Sequence, residues 1–313
     1  MRKRDRCGEA VPSPGRNTLV LVLVLMLLLQ PMVIGGCGSS AATENNENLV
    51  IATSFYPIYI MTRNVTHDIP GVEVVNITRT VTGCLHDYHL TTSDLKRLHE
   101  ADILVVNGAG MESFLDQAAR QRPGLKIVNA SRGISLLKDR HGEENAHVWV
   151  SVSLAMKQVQ NIADQLAGLD IKNGPAYQEN ASRYISELKA LRTEMHEELE
   201  QIPNRDIVTF HEAFPYFAHE FGLNIVAVVE REPGSEPSAA ELAETIEIIR
   251  QSGVKAIFVE PQYSTKAAET IARETGSRIY TLDPVVSGPD DPGAYIEIMR
   301  RNLQVLVEAL SES

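Results

Sequence analysis

The stretch AYQENASRYISELKALRTEMHEELEQ, residues 176–201, lies in the middle of a chain of 313 residues and reads as a long helix. Charged residues occur throughout it, and about 26 helical residues would extend ~39 Å at 1.5 Å per residue. Strand patterns are almost absent between residues 152 and 203. A long charged helix between two halves of different pattern indicates a rigid strut, although an ordinary surface helix would look the same.

On both sides of this helix, short apolar runs alternate with amphipathic segments. The runs before it include NLVIATS at 48–54, ADILVVNG at 101–108 and LKIVNAS at 125–131, and those after it include RDIVTF at 205–210, LNIVAVVE at 223–230, VKAIFVEP at 254–261 and SRIYTLDP at 277–284. Strands that alternate with helices predict mostly parallel sheets with helices on both faces. The expected fold is therefore α/β.

The N-terminus has the composition of an export signal. The basic residues Arg2, Lys3, Arg4 and Arg6 precede LVLVLVLMLLL at 19–29, an apolar run too short to span a ~30 Å hydrocarbon core comfortably. The residues that follow, Ile34-Gly35-Gly36-Cys37, resemble a bacterial lipoprotein cleavage site, with Cys37 as the lipidated residue. A plain signal peptide or an uncleaved anchor is the alternative. We expect a signal peptide at 1–36, a tether at 37–48, an N-terminal lobe at 49–173, a linking helix at 174–203 and a C-terminal lobe at 204–313.

Composition and charge exclude several classes of function. Hydrophobic residues make up 43% and charged residues 22% of the chain, which is ordinary for a globular protein. The net charge is −12 and the basic residues form no patch, so nucleic-acid binding is not expected. An acidic excess suits a protein that collects cations. If Cys37 is lipidated, Cys84 is the one cysteine left in the exported domain, and no internal disulfide can form.

Five polar residues occupy positions where a fold of this kind binds ligands. His211, Glu260 and Asp283 each follow a predicted strand, and ligands bind at the carboxyl ends of strands in open α/β sheets. His86 lies in a loop before a helix, and His147 lies just before another. Imidazoles with one carboxylate suit Zn²⁺, with Mn²⁺ also possible. A histidine near a strand end is nevertheless more often a hydrogen-bonded loop residue than a ligand.

Four separated motifs carry a resemblance to a known family. They are GCLHDYHLTTSDLKRLHEADILVVNGAGMESFL, ENAHVWVS, TFHEAFPYFAHEFGL and IFVEPQYSTKAAETIARETGSRIYTLDP, at 83–115, 144–151, 209–223 and 257–284. With the lipoprotein signal, they resemble the zinc- and manganese-binding solute-binding proteins of bacterial ABC importers. The resemblance implies two α/β lobes joined by a long rigid helix, with the metal between them. It also implies that His86, His147, His211 and Asp283 are the ligands, with Glu260 near the site.

The segment around His86 also contains Cys84, Asp87 and His89. On the resemblance, only His86 occupies a ligand position, and His89 stands where Glu or Gln is more usual. We interpret Asp87 as a supporting or packing residue. Cys84 could approach the site if the loop folds back, but a small, partly buried side chain is its more ordinary role.

The resemblance also bears on the metal and the partners. A histidine at the position of His211 leans towards zinc, whereas a glutamate there is common in manganese receptors. The implied function is capture of the ion on the outer face of the cytoplasmic membrane and delivery to an ABC permease with its ATPase, by a lipid-anchored monomer. A zinc hydrolase, an adhesin and a receptor for a metal chelate are the alternatives. The hydrolase is weakened because HEAFPYFAH lacks the i, i+4 histidine pair of HExxH.

Overall fold

The computed structural model describes residues 48–78, 85, 88–138, 142–229 and 237–311. Within these residues the chain forms eight strands and nine α-helices. The strands are β1 Leu49–Thr53, β2 Val72–Asn76, β3 Ile103–Val106, β4 Lys126–Asn129, β5 Asp206–Thr209, β6 Asn224–Val228, β7 Ala256–Val259 and β8 Arg278–Thr281. The helices are α1 Tyr56–Val65, α2 Thr92–Glu100, α3 Ser113–Arg120, α4 Val152–Leu169, α5 Gly174–Leu199, α6 Pro215–Phe221, α7 Ala239–Ser252, α8 Lys266–Thr275 and α9 Ala294–Ser311.

The strands form two four-stranded sheets with the same topology. The order is β2-β1-β3-β4 in the first sheet and β6-β5-β7-β8 in the second, and every described pairing is parallel. In each sheet, the second strand in the chain lies on one side of the first strand, and the third and fourth strands lie on the other side. Such a reversal opens a crevice at the carboxyl ends of the two central strands.

Helices cover both faces of each sheet, as the alternation of patterns predicts. Along β1, Ile51 packs with α1 and α4 on one face, whereas Ala52 packs with α2 and α3 on the other. In the second sheet, Phe258 joins the first of these cores and Ile257 packs with α7 and α8. Because successive side chains of a strand point to opposite faces, a strand buried on both faces is apolar throughout.

Helix α5 begins and ends two residues earlier than the expected 176–201, and one face of it is buried along its whole length. The buried positions recur every three or four residues and are Tyr177, Ala181, Tyr184, Leu188, Leu191, Met195 and Leu199. They belong to a core that includes residues of both sheets, and α5 packs against α1, α4, α6 and α9. The helix is therefore a packed link between the two halves, and its charged residues cover the opposite face.

Local signals define several helix ends. Ser238 and Glu241 form a reciprocal capping box at the start of α7, which ends at Gly253 with φ of 69°. Thr91 and Asp94 form the same box at the start of α2. Glycine at a helix end adopts the left-handed conformation without a steric penalty. None of the helices in the described parts of the chain is both long and apolar enough to cross a membrane.

Candidate metal centre

Two residues of the second sheet come together because their strands are neighbours. His211 lies two residues beyond β5, and Glu260 directly follows β7. These strands pair in parallel with Thr209 opposite Phe258, so both side chains leave the same edge of the sheet. Both are buried, and His211 Nδ1 lies 3.3 Å from Glu260 Oε1.

The third member comes from the first half of the chain. His147 precedes the 3₁₀ turn Val148–Val150 and is buried. Its ring centroid lies 4.7 Å from that of His211, with the two rings nearly perpendicular at 84°. His147 and His211, which come from different halves of the chain, are therefore neighbours in the folded protein.

The carboxylate of Glu260 is poorly compensated within this cluster. Its distance to His211 is that of an ion pair, but among the described residues neither Oε1 nor Oε2 has a hydrogen-bond partner. Burying a charged oxygen without partners is costly, and a cation or a proton removes the cost. Carboxylate and imidazole are donor groups of the kind that a borderline dication such as Zn²⁺ prefers.

The turn after β8 holds Asp283 in a defined position. The Val285 backbone N–H donates to Asp283 Oδ1 at 2.8 Å, and Val285 has a φ of 62°, which is rare for a β-branched residue. The side chain of Asn302, on α9, bonds both the backbone N–H and the backbone carbonyl of Asp283. The pKa of Asp283 is raised overall, mainly because the carboxyl is buried and to a smaller extent because Glu260 lies nearby. The hydrogen bond from the Val285 N–H and the charge of Arg301 oppose this shift.

Asn145 sets the orientation of the His147 ring. Its Oδ1 accepts the His147 backbone N–H at 2.9 Å and lies 3.1 Å from His147 Nδ1. An oxygen that already accepts from a backbone N–H leaves Nδ1 the donor role, which directs the ring's lone pair to Nε2. A second partner of this kind is usual for metal-binding histidines.

The remaining predicted site residues are placed differently. His86, Cys84, Asp87 and Cys37 lie outside the described residues. His89 is exposed and belongs to the loop before α2. Within residues 48–78, 85, 88–138, 142–229 and 237–311, no three or more His, Cys, Asp or Glu side chains form a group able to hold a metal. His147, His211 and Glu260 lie close together, with Asp283 near Glu260, but these described side chains do not by themselves make up such a group.

Sequence reasoning missed the residues that support this cluster. Asn145 and Trp149 lie two positions before and after His147, and that proximity was the one available signal. Sequence reasoning also missed a separate buried carboxylate, Glu112 in the first half, which accepts hydrogen bonds from the Ser54 hydroxyl and from two backbone N–H groups beyond β3. Burial raises the pKa of Glu112 to about 7 despite these donors. Nothing in the local pattern of residues 111–121 indicates that this carboxylate is buried.

Two parallel α/β sheets, a packed linking helix and histidines from both halves define the class of two-lobed α/β solute-binding proteins. Residues 51–309 match the family ZnuA, described as zinc-uptake complex component A, periplasmic. The high-affinity zinc uptake system protein ZnuA of Bacillus subtilis (strain 168) is 32% identical over 303 residues, covering 89% of this chain and 94% of the relative. The manganese-binding lipoprotein MntA of Halalkalibacterium halodurans is 27% identical over 299 residues, covering 92% and 97%.

A solved structure of the SBP FpvC from P. aeruginosa, in complex with Ni²⁺, has a TM-score of 0.77 and 34% identity, and the alignment covers 85% of this chain and 97% of that one. The chain belongs to the ZnuA family. It is accordingly a metal-binding solute-binding protein of the ABC-importer type, and its role is that of a receptor and not of an enzyme.

Proposed function

We propose that this protein is an extracytoplasmic receptor for Zn²⁺, which it binds between its two halves and delivers to an ABC permease. The observation that carries the proposal is a buried cluster in which His147 meets His211 and Glu260, which lie beyond the carboxyl ends of β5 and β7. Two imidazoles from separate halves meet there beside a carboxylate that has no hydrogen-bond partner among the described residues. Such a cluster is stabilised by a bound dication.

The proposed ligands are His86, His147, His211 and Asp283. Three imidazoles and one carboxylate match the donors and the coordination number that zinc prefers in closed sites, where no position remains for a catalytic water. Glu260 would then act as an additional ligand or as the charged partner of His211, from which it lies 3.3 Å.

Manganese is the alternative cargo, because MntA is a manganese-binding relative. The structure of FpvC with Ni²⁺ shows that a relative of this fold also takes a third ion. Zinc remains the proposal, since imidazole ligands are softer than the carboxylates and carbonyls that suit Mn²⁺. The zinc uptake protein of B. subtilis is also more similar in sequence than MntA.

The setting of the receptor follows from the N-terminal pattern and the family. We place the mature protein on the outer face of the cytoplasmic membrane as a monomer, anchored through lipidated Cys37 and the tether at 37–48. The proposed lobes are residues 49–173 and 204–313, with the linking helix at 174–203. Relatives named as lipoproteins support the anchor.

Elemental analysis after competitive loading tests the function. The full chain, purified in detergent and stripped of metal, is dialysed against Zn²⁺ with excess Mn²⁺, beside variants His211→Ala and His219→Ala. His219 is exposed on α6 and supplies a matched histidine control. We expect one equivalent of zinc in the wild type and in His219→Ala and none in His211→Ala. Zinc retained by His211→Ala would place the site elsewhere, and manganese retained in preference would identify a manganese receptor.

A further inference from the structure

Two side chains that flank His147 symmetrically reach across to the second half of the molecule. Asn145, two residues before His147, donates from Nδ2 to the carbonyl of Glu212 at 2.7 Å. Trp149, two residues after it, donates from Nε1 to the carbonyl of Pro284 at 2.7 Å. Each acceptor directly follows a proposed ligand of the second half, namely His211 and Asp283.

The Asn145 arm connects two imidazoles. Its Oδ1 holds the Nδ1 edge of the His147 ring, while its Nδ2 holds the backbone one residue beyond His211. The carbonyl of Asn145 in turn accepts the Tyr216 hydroxyl at 2.7 Å, so the backbone of the residue is also fixed. Asn145 is only 8% exposed, so water cannot readily replace its hydrogen-bond partners, and losing these bonds is costly.

The Trp149 arm connects His147 with the turn that carries Asp283. The indole is fully buried, lies edge-on to Phe55 with centroids 4.9 Å apart, and has its ring 5.2 Å from that of His147. The carbonyl of Pro284, which accepts its N–H, lies between Asp283 and the strained Val285. The position of the ring therefore determines where this turn sits relative to His147.

We infer that Asn145 and Trp149 are positioning residues for the metal, and that their two hydrogen bonds, the cross-lobe clamp, hold His147, His211 and Asp283 in register before the ion arrives. The inference rests on the proposed function and concerns the same site. A ligand set held in place needs less ordering when the metal binds, so the clamp raises affinity through pre-organisation.

Loss of either arm should weaken zinc binding by about 10- to 100-fold, the usual effect of removing a group that orients a metal ligand. Asn145→Ala removes both the crossing bond and the acceptor for His147 Nδ1. Trp149→Phe removes the crossing N–H and keeps an aromatic ring beside Phe55. Both variants should therefore bind zinc more weakly, but only Asn145→Ala should change the tautomer of His147, because only Asn145 contacts its Nδ1.

The experiment measures zinc affinity of the full chain by competition with a chromophoric chelator, with ¹⁵N imidazole NMR of the metal-free protein as the second readout. We expect a mixture of His147 tautomers in Asn145→Ala and a single Nδ1-protonated form in the wild type and Trp149→Phe. Asn161→Ala is the amide control, since Asn161 bonds the carbonyls of Ala130 and Arg132 away from the site. Tyr184→Phe is the second control, because the Tyr184 hydroxyl is buried on α5 and has no hydrogen-bond partner among the described residues.

Both controls should bind zinc within about threefold of the wild type. Wild-type affinity in Asn145→Ala and Trp149→Phe, with the wild type binding zinc and His211→Ala not binding it, would overturn the clamp and leave the proposed function standing. Absence of zinc binding in the wild type would overturn the function itself. Asn145→Ala keeps the Trp149 side chain. The zinc affinity of this variant and the tautomer of His147 in it therefore test the clamp even if Trp149→Phe folds poorly.

Discussion

Replacing Glu260 with glutamine should raise the stability of the metal-free protein and lower its affinity for zinc. The carboxylate is 2% exposed, and neither oxygen has a hydrogen-bond partner in the described part of the chain. One unsatisfied buried polar group costs about 1–3 kcal/mol, and a charged one costs more. Glutamine has the same shape and no charge, and its buried amide incurs only the lower neutral cost, so we expect Glu260→Gln to increase the free energy of unfolding without metal by about 1 kcal/mol or more.

The effect on the zinc-loaded protein should have the opposite sign. If the charge faces the ion, its loss should weaken binding by about 10- to 100-fold. At a fixed free zinc concentration well above Kd, that removes about 1.4–2.7 kcal/mol of the stabilisation provided by the ion. The gain of the metal-free state and the loss of metal binding therefore offset each other in the loaded protein.

Urea unfolding monitored by fluorescence measures both effects, because Trp149 is the single tryptophan and is fully buried. Curves are recorded with a chelator and with excess zinc for the wild type, Glu260→Gln and Glu297→Gln. Glu297 is exposed on α9, and its variant should lie within about 0.5 kcal/mol of the wild type. A metal-free Glu260→Gln protein less stable than the wild type by more than about 1 kcal/mol would refute the reasoning, since the carboxylate would then have favourable partners.

Three further predictions concern stability. The pKa of Glu112 is raised from 4.5 to about 7 in the folded state. Between pH 4.5 and 7 the folded protein therefore keeps a proton on Glu112 that the unfolded chain has released. As a result, the free energy of unfolding falls as the pH rises through this range. Glutamine does not titrate, so Glu112→Gln should abolish up to about 3 kcal/mol of this pH-dependent decrease in the free energy of unfolding, as measured by urea unfolding from pH 4.5 to 7.5. Leu188→Ala leaves a cavity on the buried face of α5 and should cost about 2–5 kcal/mol in the free energy of unfolding. Ser238→Ala breaks the capping box of α7 and should cost about 1 kcal/mol, read from the urea midpoint.

Matched variants give these predictions their controls. Leu169→Ala changes a leucine that is 43% exposed, and Ser252→Ala changes a serine at the other end of α7, so both should have smaller effects. An unchanged pH slope in Glu112→Gln would show that another group titrates in this window. Equal losses in Leu188→Ala and Leu169→Ala would contradict the burial of α5, and equal effects of the two serine changes would contradict the cap.

Local patterns predicted much of the secondary structure and the placement of two candidate site residues at strand ends. Apolar runs bounded by glycine, proline or asparagine marked strands such as β5 and β7, and the residues just beyond them, His211 and Glu260, were correctly expected at strand ends. Gly222 and Gly253 end α6 and α7, each with positive φ. These features depend on neighbours within a few residues of one another, so the order of residues along the chain is sufficient to reveal them.

The ligand set was implied by a family resemblance and could not be derived from spacing, because 64 residues separate His147 from His211 and 72 separate His211 from Asp283. The same limit applies to the clamp, whose bonds join residues 67 and 135 positions apart. Strand order, the partners of Asn145 and Trp149, and the poor compensation of Glu260 depend on which surfaces pack together. The sequence by itself determined the elements and the residues at their ends. The tertiary structure decided which of these ends meet, because contacts between distant segments arise only when the sheets, the linking helix and their shared core assemble.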